Sequence, residues 1–177
     1  MENLSNILKR HWVILDIEAV SLDKSRTGQD YLPWGQYTLI HCCLRKIGMV
    51  LYNGDSFSLE FTPCLMWENL SDKEKERHNI CEKSIHKLPY SPEISNGMCD
   101  DAPDRIDKIL RRANVTDILY KGGNLESSLA YLLNVRCTNL EIFGVEKAPK
   151  YLNHNPLEES IFYYKNLLKF YKKSKWE

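Results

Sequence analysis

The first strong apolar segment of the chain, HWVILDIEAV, carries apolar side chains on both of its alternating faces. Trp12 and Ile14 fall on one face, and Val13 and Leu15 fall on the other. This pattern predicts a central β-strand that is covered on both sides. Two further segments, YTLIHCCLRKI and MVLYNGDSFSLEFTP, are rich in β-branched and aromatic residues. We interpret Gly48 and the later Asn-Gly pair as turns and predict a meander of three antiparallel strands.

The second half of the chain alternates helical and strand patterns. A capping box at Ser71 predicts a polar helix through about Cys81, and the prolines and Asn-Gly pair of HKLPYSPEISNG predict a loop. The remaining pattern predicts a helix from Pro103, a strand TDILY, a helix NLESSLAYLLN, a strand TNLEIFGV and a final helix capped by Asn155-Pro156. Such alternation implies parallel pairing, so we expect one α/β domain over residues 1–177. Its mixed sheet should carry helices on both faces, with a basic C-terminal tail at about 165–177.

Composition narrows the classes of function. The chain has 177 residues with 24 basic and 24 acidic side chains, which excludes a uniformly basic nucleic-acid binder. No apolar run approaches the length of a membrane span, and the start resembles no secretory signal. Six cysteines without a framework spacing favour free thiols. We therefore expect an intracellular protein, cytoplasmic or nuclear, that has no membrane contact.

Two carboxylates interrupt the first strand. Asp16 and Glu18 are two residues apart, so their side chains point to the same face as Ile14. Charges in apolar surroundings are costly unless something neutralises them, and a divalent cation with oxygen ligands is a common solution. The alternative is that Asp16 begins a loop and Glu18 is solvated.

Further motifs resemble the 3′–5′ exonucleases of the DEDDh type, within the ribonuclease H-like superfamily. Asp16-Ile17-Glu18 matches the first motif, a strand with Asp-x-Glu. ILYKGGNLESSLAYLL follows the second motif, with Glu126 in the acidic position. His154, just before the last predicted helix, and Glu159, five residues later on that helix, match the spacing of the third. The resemblance spans about residues 12–170 and implies a ribonuclease H-like fold.

The resemblance also implies roles for these residues. Asp16, Glu18, Glu126 and Glu159 would hold two Mg²⁺ or Mn²⁺ ions, which can clamp the attacking and leaving oxygens of a phosphodiester. His154 would take a proton from the attacking water. Its alternative role is that of a polar residue at the helix start.

The chain departs from the family pattern at several positions. Glu126 and Glu159 stand where the family has Asp, and the extra methylene crowds or shifts a site tuned to Asp. Lys121 and Gly122 replace the usual His and Asn, and Ala19 replaces a common Thr. These departures put catalysis, rather than the fold, in question.

Other residues offer a competing metal site and nucleic-acid contacts. The possible zinc ligands are His78, Cys81, His86 and Cys99, but their spacing is not the paired-knuckle form, which disfavours zinc.

Basic residues and aromatics near the C-terminus, together with an aromatic residue in one early loop, suit contacts with the backbone and bases of a nucleic-acid strand. The candidates for this contact are Lys121, Trp34, Lys169, Lys172 and Lys173. For Trp34 and the terminal lysines, the alternatives are a core position and a solvated face.

The residues and the resemblance together predict a metal-dependent 3′–5′ exonuclease. It would act on single-stranded or frayed 3′ ends of RNA or DNA and release nucleoside monophosphates. The alternative is an inactive exonuclease-like module that binds nucleic acid or a protein partner.

Overall fold

The computed structural model describes residues 3–21, 42–62, 71–73, 76, 95–98, 102–149, 152 and 155–173. Strands and helices within these ranges form one α/β arrangement. The strands are β1 (Trp12–Ser21), β2 (Cys42–Leu51), β3 (Ser56–Thr62), β4 (Ser95–Met98), β5 (Asp117–Tyr120) and β6 (Arg136–Asn139). The helices are α1 (Leu4–Ile7), α2 (Ala102–Arg112), α3 (Leu125–Leu132) and α4 (Pro156–Lys173), with a 3-10 turn at Leu140–Phe143. None of these described helices combines the length and apolar character needed to cross a membrane.

The six strands form one mixed sheet in the order β4-β3-β2-β1-β5-β6. β1, β2 and β3 are an antiparallel meander, and β5 pairs with β1 in parallel. β6 is parallel to β5, and β4 is parallel to β3. The predicted combination of antiparallel strands followed by parallel strands is therefore confirmed, with β1 in the interior of the sheet.

Each face of the sheet has its own apolar core. Val13, Leu15 and Ile17 of β1 belong to a buried cluster with residues of α2 and α3. Trp12 and Ile14 belong to a second cluster, which includes residues of α1 and α4. This two-sided burial explains why β1 is apolar at both odd and even positions, since each fully buried Leu or Ile contributes about 1.5–3 kcal/mol.

Two asparagines end the helices that lead into the parallel strands. Asn114 after α2 and Asn134 after α3 each have φ of 53°, the left-handed conformation that asparagine tolerates. The next residue in each case bonds back to the helix, from Val115 N to Leu110 O and from Val135 N to Ala130 O, both at 2.9 Å. This is a Schellman type of ending, and it turns the chain directly into β5 and β6.

The start of β5 is held by a buried carboxylate. Asp117 is 1% exposed and accepts two hydrogen bonds from Arg10, at 2.7 and 2.9 Å. Thr116 Oγ1 and Arg136 Nη2 also donate to it. These bonds tie the segment before β1 to β5 and β6 at one end of the sheet.

The interpretation of Gly48 as a turn is wrong. β2 runs through Gly48 without interruption, and the reversal into β3 comes at residues 52–55. The glycine serves a close approach instead. A Cβ built on Gly48 would lie 2.2 Å from Leu157 N, so the start of α4 sits directly on this position.

Two other predictions of local structure need revision. Residues 95–98, predicted as loop, form the edge strand β4. In the predicted strand TNLEIFGV, the strand ends at Asn139 and a 3-10 turn follows, because Asn139 accepts from Glu141 N through its side chain. The predicted final helix, α4, extends through Lys173 into the segment predicted as a basic tail. Asp72, Lys73 and Glu76 are helical, as the capping box at Ser71 predicts.

Candidate active site

Two carboxylates of β1 point to the face that α4 covers. Asp16 and Glu18 follow Trp12 and Ile14 at the two-residue period of the strand. Asp16 is 9% exposed, and Glu18 is half-buried. Asp16 therefore lies within β1. It does not begin a loop, which was the alternative that the sequence left open.

The first turn of α4 is fixed against the strand beside Asp16. Gly48 is the residue of β2 directly opposite Asp16 in the antiparallel register. Ser160 of α4 is fully buried, and its Oγ donates to Gly48 O at 3.1 Å. Because Glu159 precedes Ser160, the same contact carries the Glu159 side chain to the neighbourhood of Asp16.

Local sequence explains why α4 begins where it does. Asn155 accepts from Glu158 N through Oδ1 at 3.4 Å, and its carbonyl accepts from Glu159 N at 3.0 Å. Pro156 then occupies the first helical position, where its missing N–H costs nothing. The asparagine cap thus places Glu159 on the first turn of the helix.

The fourth carboxylate comes from α3 and reaches β1. Glu126 lies in the first turn of α3 and is 5% exposed. Its Oε1 accepts a hydrogen bond from Ile17 N at 3.3 Å. Ile17 stands between Asp16 and Glu18 in the sequence, so this bond joins the start of α3 to the strand segment that carries the other two carboxylates.

The pKa shifts of Asp16 and Glu126 indicate that four carboxylates lie near one another, and we call this set the acidic cluster (Asp16, Glu18, Glu126 and Glu159). Burial raises the pKa of Asp16 well above its usual range, and the charges of Glu126, Glu159 and Glu18 raise it further. Burial also raises the pKa of Glu126 to about 7, with added repulsion from Glu18 and Glu159. Like charges raise one another's pKa in this way only when they lie close together.

The donor set of the acidic cluster suits a hard divalent cation. Among the described residues, neither Asp16 nor Glu126 forms an ion pair with a lysine or arginine. Buried carboxylates without a counter-charge are costly, and oxygen-rich sets of this kind bind Mg²⁺ or Mn²⁺. In the part of the chain that the structure describes, however, no three acidic, histidine or cysteine side chains already stand in a metal-binding arrangement. The chemistry of the set fits a cation, while the side chains would have to converge on it.

The described residues predicted to contact nucleic acid lie just after β5 and in the last turns of α4. Lys121 follows β5, and its side chain is 10% exposed, with Nζ 3.8 Å from a Glu141 carboxylate oxygen. Lys169 is exposed on α4. Lys172 and Lys173 lie in the last turn of α4, and their side chains are outside the described part of the structure.

Several predicted residues lie outside the described ranges. Trp34 and His154 are among them, as are the alternative zinc ligands His78, Cys81, His86 and Cys99. Their roles stay predictions.

Sequence reasoning missed the two residues that position Glu159. Gly48 and Ser160 carry no catalytic chemistry, and each is common in turns and on surfaces. A glycine inside a β-branched segment is nevertheless a signal of close backbone approach, and Gly48 carried that signal.

Comparison with known proteins adds no assignment. No protein-family model matches the chain, and no curated protein sequence matches it.

Proposed function

We propose that this protein is a metal-dependent 3′–5′ exonuclease that hydrolyses single-stranded or frayed ends of RNA or DNA to nucleoside monophosphates. The observation that carries the proposal is the acidic cluster. Its carboxylates come from β1, α3 and α4, and they are close enough to raise the pKa of Asp16 and of Glu126. These are the four acidic positions that the DEDDh resemblance selects from the sequence.

The topology supports the same proposal. An antiparallel meander followed by parallel strands, with helices on both faces, is the arrangement that a ribonuclease H-like fold implies. The acidic residues occupy the places that the resemblance gives them, on the first strand, at the start of a later helix and on the last helix.

The chain's own residues would hold and orient the reacting groups. Asp16, Glu18, Glu126 and Glu159 would hold two divalent ions, which when bound supply positive charge against the phosphate oxygens. The bond from Ile17 N keeps Glu126 against β1, and the Ser160–Gly48 bond keeps Glu159 beside Asp16. His154 would accept the proton of the attacking water, a role that rests on the resemblance alone.

The two replacements of Asp by Glu are expected to affect rate more than binding. A carboxylate on a longer side chain sits differently on the ion, and displacements of about 1 Å can cost about a hundredfold in rate. We therefore expect an active but slow enzyme.

The test is cleavage of an oligonucleotide labelled at its 5′ end, in Mg²⁺ or Mn²⁺. The protein should shorten the strand from its 3′ end, and Asp16→Asn and Glu159→Gln should each abolish shortening. Glu158→Gln is the matched control, because Glu158 is exposed on the same first turn of α4. Cleavage that persists in Asp16→Asn at the wild-type rate would refute the assignment.

A second candidate is a module that binds nucleic acid or a protein partner without cleavage. The two Glu replacements at motif positions favour it. A protein that retards the oligonucleotide at low salt but leaves it intact with either metal would establish binding to nucleic acid without catalysis.

A further inference from the structure

A cavity lies at the start of β1, four residues before Asp16. Its volume is about 330 Å³, and the residues lining it include Lys9, His11, Trp12, Tyr52 and Tyr171. Trp12 and Asp16 are four residues apart on β1, which is about 13 Å along a strand. The cavity and the acidic cluster are therefore separate sites on one face, and α4 begins at one and ends at the other.

One wall of the cavity is a stacked aromatic pair. The rings of His11 and Tyr52 are parallel to within 2°, and their centroids are 4.3 Å apart. The Tyr52 backbone is held by a 2.9 Å hydrogen bond from its N–H to Trp12 O, and the His11 side chain is exposed. A pair of flat rings at the edge of a cavity offers a surface on which another planar ring can stack.

The last turns of α4 also line the cavity. Leu168 is 38% exposed although it is large and apolar, and Tyr171 follows it at the i+3 position on the same side of the helix. An apolar side chain and a further aromatic ring in the same lining as the stacked pair give the cavity a chemistry that suits a flat aromatic group.

The charge of the lining is positive. Lys9 and Arg10 line the cavity, and the described residues of its lining include no acidic one. Arg10 makes two hydrogen bonds to Asp117, so its charge is partly satisfied within the protein. Lys9 is exposed at the rim and can approach an anion from solvent. The ligand that fits both features is a planar aromatic ring that carries a negative group.

We propose that this cavity binds one nucleotide unit, with its base against the His11–Tyr52 pair and its phosphate near Lys9. The preference for an aromatic anion stands on the cavity itself, and the choice of a nucleotide within that class rests on the proposed function. A volume of about 330 Å³ is at the lower end of ligand sites, which suits one nucleotide and not several. The nucleotide comes either from a strand whose end is at the acidic cluster or from a free monophosphate.

The test is a titration of isotope-labelled protein with AMP, followed by amide chemical shifts in EDTA. Chelation removes metal-dependent binding at the acidic cluster. AMP should shift the amides of residues 9–12 and 52 saturably, and adenosine should bind severalfold more weakly because it lacks the phosphate. Unmoved amides at these positions, or equal affinity for adenosine, would overturn the proposal.

Two variants separate the cavity from the rest of the surface. Lys9→Glu should weaken AMP binding about fivefold or more, since it reverses an exposed charge beside the phosphate. His11→Ala should weaken AMP and adenosine alike, since it removes a stacking ring. The matched control is Lys108→Glu, at an exposed position of α2 on the other face of the sheet. Lys9 and His11 are exposed, so both variants should fold, and circular dichroism checks that they do. If Lys9→Glu and Lys108→Glu bind AMP with equal affinity, the proposal is overturned.

The same experiment distinguishes the two sources of nucleotide and the two sites. A short oligoadenylate that displaces AMP from these amides identifies a strand as the source, and one that does not displace it identifies the free monophosphate. Asp16→Asn should retain AMP binding in EDTA. A protein that binds AMP here but never cleaves a strand would contradict the exonuclease proposal alone, and one that cleaves without binding AMP here would contradict the cavity proposal alone.

Discussion

Replacing Gly48 with alanine should displace the first turn of α4 from the sheet. The added Cβ would lie 2.2 Å from both Leu157 N and Pro156 C, whereas ordinary contacts are 3.4–4 Å. These neighbours are backbone atoms, so no side-chain rotation relieves the overlap. The helix start must therefore move by at least about 1 Å relative to β2.

The energetic cost follows from two contacts. Overpacking of a buried position costs about 1–3 kcal/mol. The displacement also stretches the buried bond from Ser160 Oγ to Gly48 O, now 3.1 Å, whose loss costs about 1 kcal/mol. We expect Gly48→Ala to lower the free energy of unfolding by about 2–4 kcal/mol, a large part of the 5–15 kcal/mol typical of a domain.

Urea unfolding in EDTA, followed by circular dichroism, measures this loss. Gly123→Ala is the matched control, because a Cβ at Gly123 meets nothing within 4 Å and its φ is not positive. If the exonuclease proposal holds, cleavage by folded Gly48→Ala should also fall by tenfold or more, since Glu159 moves with the helix.

A double-mutant cycle with Ser160→Ala tests the mechanism. Ser160→Ala should cost about 1 kcal/mol in the wild-type background and much less in Gly48→Ala, where the bond is already lost. Two results would refute this account of the contact. One is a Gly48→Ala protein that is as stable as Gly123→Ala. The other is a loss of stability on Ser160→Ala that is as large in Gly48→Ala as in the wild type.

Three further outcomes are expected. Burial holds the pKa of Glu126 at about 7 in the folded state, against an ordinary value of 4.5. Between these two pH values the folded state retains a proton that the unfolded state releases. The free energy of unfolding in EDTA should therefore fall as the pH rises through this range, by up to about 3 kcal/mol. Glu126→Gln, which keeps an acceptor for Ile17 N, should reduce that decline and leave the part that the raised pKa of Asp16 contributes, and urea unfolding that shows the same pH dependence in both proteins would contradict this. Asp117→Ala should cost about 3 kcal/mol or more, because it leaves Arg10 without its buried partner, and a melting temperature within a degree or two of the wild-type value would count against it. Mn²⁺ should raise the melting temperature of the wild type more than that of Asp16→Asn, and equal increases would place the cation elsewhere.

Much of the fold follows from local pattern. Two-sided apolarity predicted that β1 is covered on both faces, and the period of two placed Asp16 and Glu18 on one face, where the structure has them. Asn155-Pro156 predicted the start of α4, and the apolar stripe of NLESSLAYLLN predicted α3. These features depend on residues within a few positions of one another, so a single sequence contains them.

The tertiary structure decided which distant residues meet. A glycine within a strand pattern indicates close backbone approach, but nothing near Gly48 in the sequence indicates that the approaching element is the start of α4. The edge strand β4 was also missed, because a four-residue strand is formed by pairing with β3 and not by its own propensity. The sequence by itself determined the elements and the candidate carboxylates. Only the packing of α3 and α4 against β1 brought Glu126 and Glu159 close to Asp16. That proximity depends on the order of the strands and on where the helices dock, and no local sequence pattern encodes either.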